Sequence, residues 1–500
     1  MDSIQQFVKN SIPQILGIVD LFYQEPENQA GFEDRLQDVL LRFALSVMSE
    51  AYTNVNSTIK ESRARKSEWN VVKTEKKTLL SRFGEFSYDS TTFINKKTSK
   101  NVKLSDKYLG VSAHERLTEG AKVRILQEAV QSSYQRAGNE CSILNVLSKE
   151  AVKDYLHSLE FPLITDWPEE KRIVKTLFIE ADEDHCKLQF QLEKGDLIVN
   201  ENNYKNNCAL TKIVYVHEGL EIEKCKRKEG KKQKRHHLKN PCYFSGLYEG
   251  EEGNKRLWDE VYQYISHIYD IDQIEHVFLM SDGGSWIKGA RTMWHGMEHV
   301  LDEFHLKKYL LKMTRHMLDS AEDARKELCE IIKEQSREKF MEQAALLKEY
   351  AKTEREEKHI EEGAQYILNN WTAAKTRLAG RSYIVGCSAE GHVSHVLASR
   401  MSSRPMGWSR VGADKMAHLR AYYYNKGSML ELVRAQKKEM PLAAGAEEVI
   451  YSCRDILNSE SSSGRTRIQK EYGKYYEAIR ASISIQDRKR VYFESGIKLL

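Results

Sequence analysis

Val174-Lys175-Thr176-Leu177-Phe178-Ile179-Glu180-Ala181-Asp182 is an apolar run that ends in acid. Its length and its β-branched and aromatic content predict a buried strand. Alternation puts Phe178, Glu180 and Asp182 on one face and Leu177, Ile179 and Ala181 on the other, so a buried element delivers two carboxylates to one surface. Burying carboxylates without partners is costly, and a divalent cation such as Mg²⁺, which takes oxygen ligands, would offset that cost. The competing reading is a strand end emerging into solvent, with Asp182, Glu183 and Asp184 as loop residues.

Downstream, Lys187–Leu192 alternates strictly and Lys212–Val216 is apolar, which predicts two more strands and a meander. A helix follows over about Lys255–Tyr269, then an apolar run Val277-Phe278-Leu279-Met280 that ends in Ser281-Asp282-Gly283-Gly284. Meander, helix, strand and helix is the order of an α/β ribonuclease-H-like core. Asp282 stands at a second strand end, and the glycines after it let backbone approach a phosphate. Two such aspartates on one sheet could share a pair of metal ions that activates a water or a 3′-hydroxyl for in-line phosphoryl displacement. A third carboxylate is expected from a helix further on, and Glu390 opens one whose apolar positions are Val393, Val396 and Leu397. Arg400, Arg404 and Arg410 follow it, as guanidinium groups suited to a DNA backbone. Asp302 and His305, three apart, fall on neighbouring positions of a helical turn.

The flanking regions read differently. Residues 1 to about 65 have helical spacing, Lys77–Gly110 reads as a small antiparallel hairpin unit, and Thr118–Leu159 is helical again. Ser148 suits an N-cap for a helix with Lys149 and Lys153 exposed near its start, the pattern of a helix-turn-helix that enters a major groove. Residues 303 to about 372 are charge-laced and helical without a sustained heptad, which predicts an all-helical insertion, and the chain after Glu390 is helical with a serine-rich loop at 459–464. The expected divisions are 1–110, a helical region with a β-hairpin unit; 111–168, the helix-turn-helix region; 169–302, the first part of the core; 303–380, the insertion; 381–425, the second part of the core; and 426–500, a helical C-terminal region.

Five hundred residues suggest roughly three domains, and only 7 prolines argue for long helices. No stretch reaches the roughly 18 apolar residues that cross a bilayer, and no export leader is recognisable, so no membrane partner is expected. Eight dispersed cysteines without a CxxC pair fit a reducing, cytoplasmic setting. The net charge of +4 conceals segregation: nine of the sixteen residues from Lys224 to Lys239 are Lys or Arg. Among them are Lys226, Arg227, Lys228, Lys231, Lys232, Lys234 and Arg235, and such a run makes salt-sensitive, sequence-blind phosphate contacts. Cys225, His236, His237 and Cys242 match no common zinc spacing.

Taken in order, Glu180-Ala181-Asp182-Glu183-Asp184-His185, Met280-Ser281-Asp282-Gly283-Gly284, Leu301-Asp302-Glu303-Phe304-His305 and Ser388-Ala389-Glu390, with the tract Arg404–Ala413, resemble the DDE transposases of bacterial insertion sequences. The sequence most closely resembles the ISLre-type family, and the likeness covers nearly the whole chain. The resemblance implies a ribonuclease-H-like catalytic domain, a helical insertion before the Glu, an upstream helix-turn-helix, and Mg²⁺-dependent strand cleavage and transfer, with Mn²⁺ as a substitute metal. It places the catalytic and metal-holding set on Asp182, Asp282 and Glu390, with Asp302 and His305 as an accessory Asp-x-x-His, while Glu180 and Asp184 remain alternatives to Asp182. It also implies double-stranded DNA partners (terminal inverted repeats and target), a homo-oligomer on paired ends and association with the nucleoid. The rival readings are an inactive or domesticated helix-turn-helix DNA-binding protein and a ribonuclease-H-like nuclease that does not join strands.

Overall fold

The computed structural model describes residues 2–458 apart from 163–166, 191–207, 227–231, 293, 295, 335, 381–383, 405, 438–445 and 448. The chain divides into two compact units, residues 1–124 with 139–146 and 438–500, and residues 125–138 with 147–437.

In the first unit an apolar helix, α1 (Ile12–Gln24), precedes the 33-residue α2 (Gln29–Glu61), whose N-cap Asn28 accepts the Gly31 N–H. Strands β1 (Trp69–Leu80) and β2 (Glu85–Asn95) form the expected antiparallel hairpin, which starts eight residues earlier than Lys77. Ile59, Trp69, Phe93 and Leu104 are fully buried, and the core they form is completed by Ala446, Val449 and Cys453 from the far end of the chain.

Three short helices occupy the region where a helix-turn-helix was expected: α3 (Glu119–Ala129), α4 (Tyr134–Glu140) and α5 (Lys149–His157). Ser148 caps α5 as anticipated, accepting the Ala151 N–H at 3.2 Å. An eight-residue connection separates α4 from α5, longer than the three or four residues of a helix-turn-helix turn.

The second unit is built on a mixed five-stranded sheet. Its strands are β3 (Thr176–Lys187), β4 (Cys208–His217), β7 (Cys242–Gly246), β8 (His276–Ser281) and β9 (Glu298–Leu301), in the order β9-β8-β3-β4-β7. β3, β4 and β7 run antiparallel, whereas β8 and β9 lie parallel on the other side of β3. Between β4 and β7 the chain leaves as a separate two-stranded ribbon, β5 (Leu220–Lys226) with β6 (Lys232–Leu238). The strand expected over Lys187–Leu192 is not formed as such. Lys187 ends β3, Leu188 makes a lone bridge to Trp408, and residues 191 and 192 lie outside the described residues.

The alternation read from the sequence holds. Leu177, Ile179 and Ala181 pack beneath α6 (Gly250–Ile268) through Leu257, Trp258 and Val261, whereas Phe178 joins Phe278, Met280 and Val300 on the opposite face. The insertion after β9 is all-helical: α7 (Glu303–Thr314), α8 (Ala321–Lys333), α9 (Arg337–Glu349), α10 (Glu354–Asn369) and α11 (Trp371–Leu378). These helices enclose a core of their own around Leu328, Phe340, Ile360 and Ile367. The chain then returns to the sheet through α12 (Ala389–His392), which continues as a helix to Met401 with a π-helical middle turn, and through α13 (Arg410–Tyr424).

Candidate active site

The site follows from strand register. Ala181 pairs with Ser281 across the parallel β3–β8 ladder, and Leu301 pairs with Ser281 across β8–β9. The residue after each of these three is an aspartate: Asp182, Asp282 and Asp302. Adjacent strands lie about 4.8 Å apart, so the three carboxylates form a row where the parallel pairing stops, inside β3 for Asp182 and just past β8 and β9 for Asp282 and Asp302. In the sequence Asp182 and Asp282 stand out after apolar runs, whereas the four-residue strand that aligns Asp302 with them is too short to show a period.

The three carboxylates of the row are electrostatically coupled. Burial, with the like charges of Asp282 and Asp302, pushes the Asp182 carboxyl up to about 7, partly opposed by a hydrogen bond from the Glu183 N–H and by nearby His305. Asp282 turns one oxygen back to accept the Gly284 N–H at 2.9 Å. Asp302 is committed on both oxygens: one caps α7 by accepting the Phe304 N–H, and the other lies 2.9 Å from His305 Nδ1. That hydrogen bond raises the His305 pKa, against the effect of burial, and holds Asp302 below the ordinary aspartate range.

Glu180, on the same strand face as Asp182, does something else. It is completely buried, and its oxygens meet His217 Nε2 at 3.0 Å, Tyr215 Oη at 2.7 Å, the Ser388 N–H at 2.6 Å and hydroxyl at 3.1 Å, and the Cys387 thiol at 3.1 Å. These bonds outweigh desolvation and lower its pKa. Glu180 therefore fastens the segment that leads into α12 onto β3, and has no oxygen left to share the role of Asp182. Glu390, two residues beyond Ser388, is solvent-exposed on α12. Asp184 is tied on one oxygen to the Ser402 hydroxyl at 3.0 Å.

The donor chemistry suits a hard divalent cation. A row of carboxylates, one of them driven toward neutrality by burial and by its like-charged neighbours, is what an oxygen-ligated Mg²⁺ would relieve. Among the described residues, no three His, Cys, Asp or Glu side chains already stand in metal-binding geometry.

The residues expected on DNA divide. Lys149 and Lys153 are exposed on α5, beside Glu150 and Asp154, and Arg404 is exposed. Arg227, Lys228 and Lys231 lie outside the described residues, whereas Lys226, Lys232, Lys234 and Arg235 belong to the β5–β6 ribbon, in which Lys224 pairs with Lys234 and Lys226 with Lys232. Arg400 corrects the sequence reading. It is 4 % exposed, donates Nε–H to the Ala129 carbonyl at 3.0 Å and stacks 4.8 Å above Trp408, so its guanidinium is a packing element unavailable to DNA.

No described helix is long and apolar enough to cross a membrane. Among solved structures, the Drosophila P element transposase strand transfer complex covers 71 % of this chain and 81 % of its own at 11 % identity, with a TM-score of 0.22, too loose a superposition to bear on fold. A UPF0236 protein of Caldanaerobacter subterraneus subsp. tengcongensis is 29 % identical over 439 residues, 88 % of this chain and 87 % of its own, and its name joins eleven locus designations. Another from the same organism is 32 % identical over 405 residues, covering 81 % of this chain and 80 % of its own. The model of an uncharacterised protein family, UPF0236, matches residues 28–439, and the chain belongs to that family.

Proposed function

We propose that this protein is an insertion-sequence transposase of the DDE type, which binds the ends of its element and cuts and joins DNA strands by metal-dependent phosphoryl transfer. The observation that carries this reading is the register of two parallel ladders whose last paired residues, Ala181, Ser281 and Leu301, are each followed by an aspartate. Support also comes from the sheet order, three antiparallel strands with two parallel strands beyond the first, which is that of a ribonuclease-H-like core. The helical insertion lies between the second aspartate and Glu390, as the resemblance to ISLre-type transposases implies. A relative whose name joins eleven locus designations is what a self-copying gene would leave in one genome.

On this reading Asp182, Asp282 and Glu390 would hold Mg²⁺. When bound, the metal supplies an activated oxygen nucleophile and neutralises charge on the leaving oxygen. The chain's own groups do the rest. Asp302 accepts the His305 Nδ1–H and favours the cationic ring, a charge placed to meet a phosphate oxygen at the edge of the row. At the same edge the chain turns through Gly283, whose φ of +89° favours glycine. The basic β5–β6 ribbon suits a DNA duplex, since a two-stranded ribbon fits the major groove, and the α3–α5 region carries the exposed Lys149 and Lys153 for end recognition.

The test is incubation of the protein with labelled terminal-repeat DNA and Mg²⁺. Cleaved ends and joined products are expected from the wild type, with both lost in Asp182→Ala, Asp282→Ala and Glu390→Ala that still bind DNA. Cleavage persisting in all three variants overturns the site. Hydrolysis without joining identifies a nuclease, and DNA binding without either reaction identifies a non-catalytic DNA-binding protein.

A further inference from the structure

The helical insertion could be a spacer that merely separates two parts of the core. Its contacts say otherwise. The Tyr366 hydroxyl, near the C-terminal end of α10, donates to the Asp282 carbonyl at 2.6 Å, and its ring is held by a stack on Tyr309 with centroids 3.8 Å apart. One turn later Asn370, 6 % exposed, gives its side-chain N–H to the Tyr366 carbonyl at 3.1 Å, while its Oδ1 is buried without a hydrogen-bond partner among the described residues. That oxygen presses on Gly283: a Cβ built there would stand 2.1 Å from it, and Gly283 has φ +89°, so only glycine fits.

A buried acceptor with no partner is costly, so its place in a folded chain calls for a reason. Here Asn370 and Tyr366 bracket the backbone that fixes Asp282: Tyr366 holds the carbonyl of Asp282 itself, and Asn370 closes over the next residue. The turn is held from inside by the Gly283 N–H to Ser281 Oγ bond and the Gly284 N–H to Asp282 Oδ1 bond. From outside, the two insertion residues keep it from swinging away from the row.

We propose that the insertion is a working part of the carboxylate site, with Tyr366 and Asn370 as positioning residues that hold the Asp282-Gly283-Gly284 turn in line with Asp182 and Asp302. The contribution to cleavage rests on the function proposed above, whereas the contribution to the turn does not.

The experiment uses the full-length chain as Tyr366→Phe and Asn370→Ala, with the surface change Lys348→Ala in the same insertion as control. Hydrogen–deuterium exchange of the Gly283 and Gly284 amides is expected to rise by roughly threefold to tenfold in the two site variants, the effect of about one lost hydrogen bond, with the sheet strands still protected. Mg²⁺-dependent cleavage of end DNA is expected to slow by roughly tenfold to a hundredfold with KM for DNA unchanged, as a displaced carboxylate would cause. The control should match wild type in both. Native exchange and native cleavage in Tyr366→Phe, the more conservative change, overturn the proposal even if Asn370→Ala fails to fold. A wild type that cuts nothing, with variants that still loosen the turn, removes the proposed function and leaves the positioning role standing.

Discussion

Asp182 and Glu180 lie two positions apart on one strand face, and their surroundings drive them in opposite directions. For Asp182 the folded-state pKa of about 7 stands well above the ordinary 3.8. The folded chain therefore retains a proton that the unfolded chain has released, and metal-free stability falls as pH rises from about 4 to about 7, by up to about 4 kcal/mol. Asp182→Asn removes this penalty. In urea denaturation with chelator the variant should be more stable than wild type at pH 8, with a clearly smaller gap at pH 5; an equal gap at both would show that Asp182 titrates normally. Glu180 is ionised and enclosed, so Glu180→Gln should destabilise the fold by about 3 kcal/mol at neutral pH, as expected when one member of a buried hydrogen-bonded pair is changed. Alternation alone placed both acids on one surface. Telling them apart required His217 and Ser388, which lie 37 and 208 residues away in the chain and leave no local signature.

Elements with clear apolar runs were legible in the sequence: β3, β4, β8 and α6 fall where hydrophobic spacing puts them, and the charge-laced insertion is helical, although its division into α7–α11 was not read. β9 was not, because Glu298-His299-Val300-Leu301 is too short to show a period and owes its strand form to the ladder with β8. Missing it concealed the third member of the aspartate row. Arg400 was misread for a related reason: its acceptor is a carbonyl 271 residues earlier, and nothing around position 400 marks the arginine as enclosed. Arg400→Ala should therefore lower the melting temperature while leaving the salt dependence of DNA binding intact. The ribbon makes the opposite prediction. Changing Lys224, Lys226, Lys232 and Lys234 together to Gln should reduce the slope of log K against log salt by roughly 3 to 4, with little change in melting temperature. A slope unchanged by that variant would mean the ribbon does not touch phosphate.

At the scale of the molecule, the chain divides into two units, each of which it visits more than once. Composition and charge could not show this, because re-entry is a property of contacts and not of local sequence. Ala446, Val449 and Cys453 complete the core that contains Trp69. Ending the chain after Lys437 should remove roughly 3–5 kcal/mol of apolar burial from the first unit and shift Trp69 emission to longer wavelength. Unshifted emission would show that the core closes without the helical segment around Val449.

That same arrangement sets a clock. Ribosomes add about 5–20 residues per second, so between the synthesis of Trp69 and that of Cys453 roughly 20 to 80 s elapse. Throughout that interval the core around Trp69 has an unfinished interior. It closes only once residues 446–453 have been made, and a message cut short before them yields a chain in which Ile59, Trp69, Phe93 and Leu104 never gain their last partners.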